Sequence, residues 1–312
     1  MKRSKHSLSH YKLLTCDPGE LVPIGLVEAL PGDSIQHATS ALVRTSPLLS
    51  PVMHPFQVKI HHWFVPYRLI WDDWENFITG GEDGLDNSTF PTIDVSSAAV
   101  GSLADYLGVP TGVTSLSVSA LPFRAYAMIY NSHYRDQDLQ TALTIDTTDG
   151  VDTTTSTALK SVNWEYDYYT GAKTSTQKGT EVSLPLGTEA PVITNGANPN
   201  LIGSTSSNQT RITYNSSIGF TNFDSTPNNG ELLEFHDESG LKTDLSNATA
   251  ATINQLREAI ALQKYAENRS RYGSRYSEYL KYLGVMPQDS RLDRPEYLAG
   301  GKQTIQFSAA RS

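Results

Sequence analysis

The strongest constraint on the fold comes from one aromatic stretch, residues 54–81, which reads HPFQVKIHHWFVPYRLIWDDWENFITGG. It holds three of the four tryptophans of the chain: Trp63, Trp71 and Trp74. Apolar and polar residues alternate over residues 56–63, which predicts a strand. Pro66 suits the start of a helix. Apolar residues then recur on one helical face at Ile70, Trp74, Phe77 and Ile78, and Gly80-Gly81 ends the helix. We therefore expect a strand that leads directly into one aromatic helix, and this helix must bury its indoles against a large surface.

Composition favours a mainly β protein with long loops. The 312 residues are enough for one large domain or two. Apolar residues at 38% and charged residues at 18% are both below the usual share of a globular chain. Thr, Ser, Asn, Gly and Tyr take their place, and these residue types suit turns and exposed β surface. The formal net charge of −9 means that any DNA contact must be local or helped by a basic partner.

The residues give little support for catalysis, metals or cofactors. The single Cys16 excludes an internal disulfide and a cysteine-based zinc site. His61 and His62 are neighbours on a predicted strand, so they point to opposite faces and cannot share one ion. The acids at residues 72–75 suit the first turn of a helix. No G-x-S-x-G elbow or phosphate-binding loop is present, and no stretch approaches the length of a membrane helix. We expect no enzyme activity, no metal and no cofactor.

Other segments carry weaker local signals. The predicted elements are a basic N-terminal arm at residues 1–12, a strand at 40–44, loops at 82–120 and 141–160, a short helix at 103–107, a helix at 122–135 and strands at 162–186. A helical region is predicted at 249–284. Thr252 and Gln255 have the spacing of a capping box at its start. Gly273 separates two helices, and Ile253 and Ile260 share a face of the first one with Leu256. The second helix is expected to turn these residues inward: Tyr276, Tyr279, Leu280 and Leu283.

Two groups of residues are candidates for binding. Basic side chains interleaved with tyrosines can track single-stranded nucleic acid through phosphate contacts and base stacking. The candidate DNA contacts are Lys2, Arg3, Lys5, Arg269, Arg271 and Arg275. The alternative is that the tyrosines form the helix core, the cations are solvated and the N-terminal arm is disordered. Large aromatic residues also concentrate binding energy between subunits. The candidate subunit-interface residues are Trp63, Trp71, Trp74, Tyr276 and Tyr279.

Five blocks, in order along the chain, resemble one known family. They are residues 9–55, residues 61–81 (HHWFVPYRLIWDDWENFITGG), 121–140 (LPFRAYAMIYNSHYRDQDLQ), 164–187 (WEYDYYTGAKTSTQKGTEVSLPLG) and 256–305. Together they resemble the major capsid proteins of microviruses, the small single-stranded-DNA bacteriophages, and most closely the gokushovirus-like branch. The resemblance implies an eight-stranded antiparallel jelly roll with long loop insertions. It also implies a homo-oligomeric T=1 icosahedral capsid around a circular single-stranded DNA genome.

The same resemblance implies partners and a location. The genome would be bound with the help of a small basic packaging protein, and the shell would meet a receptor on the host cell surface. The protein would be found in the virion, after assembly in the cytoplasm of the host bacterium, without a membrane. The runner-up is a carbohydrate-binding or cell-surface-binding jelly-roll protein of a phage, whose exposed Trp and Tyr would form the binding platform. Particle size in solution separates the two.

Residues 187–230 differ from the rest of the chain, because they are rich in Asn, Ser, Thr and Gly and hold one basic residue, Arg211. Their composition is too polar for a core, which predicts an inserted surface segment, with a disordered linker as the alternative. The resemblance implies that an insertion here forms a protrusion at the threefold axes. The candidate host-contact residues are Asn195, Ile202, Arg211, Tyr214 and Phe220.

The chain departs from the family pattern at its C-terminal end. Members of the family continue past the block RPEYLAGGKQTI with a further part that completes the barrel, whereas this sequence stops at Ser312. We therefore expect an incomplete jelly roll, through a truncated or frameshifted gene, a fragment, or a remainder supplied separately. Strands without partners leave open edges, so residues 1–312 alone are not expected to close a shell.

Overall fold

A computed structural model of the chain describes residues 4–46, 50, 53–183, 192–194, 200–203, 209–211, 233–235, 241–244, 252–285 and 293–305. The strands in these residues are β1 Phe56–Phe64, β2 Thr92–Asp94, β3 Ser117–Ser119, β4 Val151–Asp152, β5 Val192–Thr194, β6 Asn200–Gly203, β7 Gln209–Arg211, β8 Leu233–Phe235, β9 Leu241–Thr243 and β10 Glu296–Ile305. The α-helices are α1 Trp74–Thr79, α2 Leu103–Tyr106, α3 Leu121–Ile129, α4 Ile253–Tyr272 and α5 Tyr276–Tyr282. The chain forms two compact units, residues 1–174 with 280–312, and residues 175–279.

In the first unit, β1 pairs antiparallel with β10 over its whole length. This confirms the strand predicted from the alternation at residues 56–63. The register sets Lys59 opposite Lys302 and His61 opposite Gly300, and it shifts between His62 and Trp63. A shift of this kind re-aims the side chains that follow it. The consequence is that Trp63 lies opposite Tyr297.

A second sheet in the same unit has the strand order β3–β2–β4, with β2 antiparallel to β3 and parallel to β4. The prediction that residues 82–120 and 141–160 are loops is therefore wrong at these three strands. Each strand has only two or three residues. They are held together by pairing between distant parts of the chain, and short windows of sequence carry no signal for such pairing.

The core of this unit surrounds α3. Buried Phe123 and Tyr126 on α3 pack with Ile93 of β2 and with Leu103 of α2. The predicted helix at 122–135 is confirmed, with a π-helical turn, Tyr130–Tyr134, after α3. The predicted short helix at 103–107 is confirmed as α2, which begins with the Ser102 hydroxyl accepting from the Asp105 backbone N–H.

A buried ion pair links α3 to β4. Arg124 and Asp152 both have fully buried side chains, and Arg124 Nε donates to Asp152 Oδ2 at 2.8 Å. Arg124 Nη1 also donates to the carbonyl oxygens of Ile70 and Thr148, each at 3.0 Å. Burial alone would raise the pKa of Asp152, but hydrogen bonds, chiefly from Thr155 and Arg124, outweigh it and lower the pKa. One guanidinium thus fixes three separate chain segments around α3.

The aromatic stretch does not form the single helix that was predicted. It forms a short 3₁₀ helix, Tyr67–Leu69, and then α1, which ends at Gly80 in the left-handed conformation. The break lies at Asp72, whose backbone N–H donates to the carbonyl of Thr147 at 2.9 Å instead of joining a helical ladder. A contact with a distant segment therefore overrides the local helical pattern.

Two segments that were predicted to form strands contain no strand in the residues that the structure describes. Residues 40–44 form no strand, and residues 4–46 contribute only an isolated bridge between Glu20 and Ser161. Residues 162–183, the described part of 162–186, contain no strand. Asp167 instead accepts from the Tyr169 and Thr170 backbone N–H groups, because a short acidic side chain favours turns over ladder pairing.

In the second unit, β5 pairs with β9, and a three-stranded sheet has the order β7–β6–β8. Helix α4 begins at a complete capping box formed by Thr252 and Gln255 and ends before Gly273, as predicted. Across the described residues the small open sheets and few helices fit a mainly β class. The eight-stranded jelly roll stays a prediction.

Candidate assembly and nucleic-acid surfaces

Trp63 lies in an aromatic cluster that we call the Trp63 cluster, which consists of His61, Trp63, His133, Tyr134 and Tyr297. The Trp63 ring stacks on His133 with centroids 4.0 Å apart and meets Tyr297 edge-on at 5.2 Å. Its Nε1 donates to the Tyr134 hydroxyl at 3.1 Å. Trp63 is half-buried, so its polar atom is satisfied internally while part of the ring still faces outward. That combination keeps it a candidate interface residue.

The pKa values of His61 and Tyr134 in the Trp63 cluster are both shifted in the direction that favours the uncharged group. Burial, followed by the nearby charges of Lys59 and His62, lowers the pKa of His61. Burial also raises the pKa of Tyr134. His61 Nδ1 and the Tyr134 hydroxyl are 2.6 Å apart, which joins two uncharged groups near neutral pH. Among the described residues, no cluster of three His, Cys, Asp or Glu side chains could hold a metal ion.

Trp71 is a core residue, which corrects its prediction as a subunit-interface residue. Its side chain is 0% exposed, so it has no surface to offer another chain. Trp71 packs against Phe77 at 4.9 Å, Phe90 at 5.5 Å and Trp74 at 5.6 Å between ring centroids. Trp74 is half-buried and also contacts Tyr67 at 4.6 Å. The sequence spacing selected Trp74 for the buried face and missed Trp71, because the helix breaks between them.

Helix α4 exposes the apolar face that the sequence predicted for it, and α5 exposes part of the surface that was predicted to point inward. Ile253 is 70% exposed, Ile260 59% and Leu256 42%. Tyr276 and Leu283 are also exposed, and Leu283 lies beyond the end of α5, so their inward orientation is wrong. Tyr279 is half-buried and meets Tyr265 edge-on at 6.2 Å. Exposed contiguous apolar side chains of this kind mark interaction surfaces, which keeps Tyr276 and Tyr279 as candidates.

The candidate DNA contacts differ in their surroundings. The Arg269 guanidinium lies 5.8 Å from the centre of the Tyr265 ring, and Arg271 is exposed. Arg275 Nη1 is 3.0 Å from Glu278 Oε1, so part of its charge is already matched. Lys5 is exposed and lies outside any helix or strand, and Lys2 and Arg3 lie outside the described residues. The DNA role of these six cations stays a prediction.

The segment that follows the N-terminal arm is anchored to α2 and α3 by tyrosine hydroxyl groups. The Tyr106 hydroxyl donates to the carbonyl of Thr15 at 2.6 Å, and the Tyr126 hydroxyl donates to the carbonyl of Leu21 at 3.0 Å. The Leu21 backbone N–H donates to the carbonyl oxygen of Lys160 at 2.8 Å. Two buried tyrosines, one on α2 and one on α3, therefore hold the chain at Thr15 and Leu21, because a buried tyrosine ring still offers its hydroxyl group as a donor.

The predicted host-contact segment is described only in part. Asn195, Tyr214 and Phe220 lie outside the described residues. The backbones of Ile202 and Arg211 belong to β6 and β7. The host-contact role of this segment stays a prediction. Among the helices that the structure describes, none has the length and apolar character needed to cross a membrane.

Comparisons with known proteins place the chain in one family. The family described as capsid protein (F protein) matches residues 1–310. Capsid protein VP1 of Bdellovibrio phage phiMH2K is 36% identical over 97% of this chain and 59% of its own length. Capsid protein VP1 of Spiroplasma virus 4 is 32% identical over 97% of this chain and 60% of its own, and that of Chlamydia phage 1 is 31% identical over 98% and 63%. The chain thus spans about three fifths of the length of the curated relatives it matches. It belongs to the capsid protein (F protein) family of the gokushovirus-like microviruses.

Proposed function

We propose that this chain is a structural major capsid protein, without enzyme activity, that assembles with copies of itself into an icosahedral shell around a circular single-stranded DNA genome. The observation that carries the proposal is the family match over residues 1–310, supported by three relatives whose name is capsid protein VP1. The working form of the protein is then the virion, after assembly in the cytoplasm of the host bacterium. A small basic packaging protein and a host receptor are its further partners.

Surface properties of the described residues support an assembling protein. The apolar ridge Ile253–Leu256–Ile260 of α4 and the ring of Tyr276 lie exposed on one chain. Exposure of these apolar side chains to water costs free energy. Covering them with another chain stabilises the complex by about 25 cal/mol per Å² of apolar surface buried. In this proposal the small sheets belong to an eight-stranded jelly roll, whose long loops carry the helices and supply the contacts between subunits.

The test replaces the matched region of the Bdellovibrio phage phiMH2K capsid protein with residues 1–310 of this chain. The expected product is uniform closed particles, seen by sedimentation and electron microscopy. Circular dichroism and cooperative unfolding establish first that the chimera is folded. A folded chimera that stays monomeric or trimeric at high concentration would overturn the proposal. If that small species bound a carbohydrate array, the runner-up, a carbohydrate-binding or cell-surface-binding phage protein, would replace it.

Residues 187–230 form, in this proposal, the outward host-contact surface at the threefold axes. The segment is polar and almost uncharged, with one cation at Arg211, whereas a loop that faces packaged DNA needs several cations. Deleting residues 195–229 and joining the ends with a short Gly-Ser linker, in a full-length homologous background, tests it. Intact particles that no longer attach to cells are expected. Loss of particle assembly would instead make the segment structural.

A further inference from the structure

The paired strands β1 and β10 each carry a lysine, and the close approach of these two lysines does not stabilise the sheet. Lys59 and Lys302 face each other directly across the two strands, and like charges in directly opposed positions destabilise a sheet. Burial lowers the pKa of Lys59, and the charge of Lys302 lowers it further. Their shared counter-ion is Glu165, which contacts Lys59 and has its Oε2 3.7 Å from Lys302 Nζ. Two cations therefore meet one carboxylate, and the site keeps an excess of positive charge.

These side chains line an open groove of about 320 Å³, which we call the lysine groove. Its walls are formed by Lys59, His61, Tyr297, Gly300 and Lys302. A Cβ atom at Gly300 would lie 2.3 Å from the Tyr297 hydroxyl and 2.6 Å from the carbonyl oxygen of Ile60. Only glycine therefore lets β10 approach β1 this closely. A Cβ at Gly301, the next residue, would meet nothing within 4 Å, so the groove is open to a ligand on that side.

Exposed aromatic rings accompany the counter-ion. Glu165 lies in the sequence Trp164–Glu165–Tyr166–Asp167–Tyr168–Tyr169. Tyr168 is 94% exposed, Tyr169 86% and Trp164 74%. These rings lie within four residues of Glu165 in the sequence. Exposed rings together with cations can bind single strands, since phosphates meet the cations and bases stack on the rings. Tyr297, in the wall of the groove itself, is also partly exposed.

We propose that the lysine groove binds the phosphodiester backbone of single-stranded nucleic acid, with Lys59 and Lys302 on a phosphate and Tyr168 and Tyr169 stacking on the adjacent bases. Glu165 is the internal anion that balances the lysines while the groove is empty. It is 59% exposed, and surface ion pairs contribute little free energy, so a phosphate displaces it at small cost. The residues of this site are other than the candidate DNA contacts of the N-terminal arm and of α4. It deepens the proposed function, because the packaged genome is then the source of the strand.

The first test measures binding of a fluorescently labelled oligothymidylate to the purified, unassembled chain by anisotropy at several salt concentrations. The double variant K59Q/K302Q is expected to bind at least about tenfold more weakly, with the slope of log K against log salt smaller by about 0.7, because the one phosphate contact that the two lysines share is lost. K242Q is the matched control, since Lys242 is an exposed lysine on a different strand, β9. E165Q is expected to bind more tightly than the unmodified protein, because it removes the competing carboxylate.

The second test concerns the rings. Tyr168→Ala is expected to weaken binding roughly fivefold or more, whereas Tyr168→Phe, which keeps the stacking surface, should bind normally. Unchanged binding by K59Q/K302Q, or a loss equal to that of K242Q, would overturn the proposal. Unchanged DNA binding together with lost particle assembly in the full-length background would assign the groove to a carboxylate of a second copy instead. The proposed function would stand in either case, because shell formation is scored separately by sedimentation.

Discussion

Helices α3 and α4 are stabilised in different ways. Helix α3 has no side-chain cap, but it buries Phe123 and Ala127 almost completely and anchors the Arg124–Asp152 pair. Helix α4 has a complete capping box and 20 residues, yet it buries only Ala266 and Ser270. The first helix is held by the tertiary structure around it. The second is specified mainly by its own sequence, and its apolar ridge remains exposed.

This difference between α3 and α4 relates one helix to the folding of a single chain and the other to the assembly of several chains. Packing of a buried face supplies most helical stability in proteins, and short helices are marginal without it. A helix that keeps its shape through length and capping can present apolar side chains to a later partner, without first collapsing onto its own chain. We therefore expect substitutions around α3 to act on the folding of one chain, and substitutions on the α4 ridge to act on the association of chains.

The largest effect is expected from Asp152→Ala. Removal of one partner leaves the Arg124 charge buried and uncompensated, which costs about 3–5 kcal/mol in the free energy of unfolding. Asp94→Ala is the matched control, because Asp94 also accepts hydrogen bonds from the residue two positions ahead, Ser96, but lies at the surface. Urea denaturation compares the two variants. Equal midpoints would show that the buried pair is dispensable, whereas Arg124→Met combined with Asp152→Leu should recover part of the loss.

A fall in pH should lower the free energy of unfolding through the same Arg124–Asp152 pair. The folded-state pKa of Asp152 is lowered, below its unfolded value of about 3.9. Its contribution to stability is therefore complete above about pH 4 and is lost as the pH falls through the lowered folded-state pKa. The stability of the unmodified chain should fall more steeply than that of Asp152→Asn below about pH 4. Parallel curves for the two proteins, measured by urea denaturation at each pH, would assign acid sensitivity to other carboxylates.

Local signals predicted some elements of these two regions well. The alternation at 56–63 gave β1, and the spacing of Thr252 and Gln255 with Gly273 gave both ends of α4. Gly80 marked the end of α1. Such features depend on residues within one or two turns of each other, so a single sequence contains them in full.

The rest depended on pairing across the chain. Arg124 lies in the predicted helix, but its partner Asp152 lies in the segment 141–160, for which the sequence predicts a loop. The burial of Trp71 follows from the Asp72–Thr147 backbone hydrogen bond that interrupts the helical pattern. The lysine groove exists only because β10 brings Lys302 opposite Lys59. No periodicity in a short window encodes a partner 28 or more residues away, so these sites appear only in the folded structure.

A smaller effect is expected from the cap of α4. Thr252→Ala removes the side-chain oxygen that accepts from the Gln255 backbone N–H at 3.2 Å, which costs about 1 kcal/mol. Thr252→Ser keeps the hydroxyl and should behave almost like the unmodified chain. Amide hydrogen exchange in the first turn of α4 gives the local stability directly. If exchange there were equally fast in all three proteins, the helix would owe its start to something other than its capping box.

The smallest effect on one chain, and the sharpest for the comparison, is expected from Ile260→Ala. Ile260 is 59% exposed, and Ala is the better helix former, so the free energy of unfolding should change by less than about 0.5 kcal/mol. Phe123→Ala, in the buried face of α3, should cost about 3–5 kcal/mol in the same assay.

In particle assembly, by contrast, Ile260→Ala should have a clear effect. In the full-length background Ile260→Ala should raise the protein concentration needed for particle formation, measured by sedimentation. A variant stable as a chain and normal in assembly would show that the α4 ridge is not a contact surface, and the contrast between the two helices would then concern folding alone.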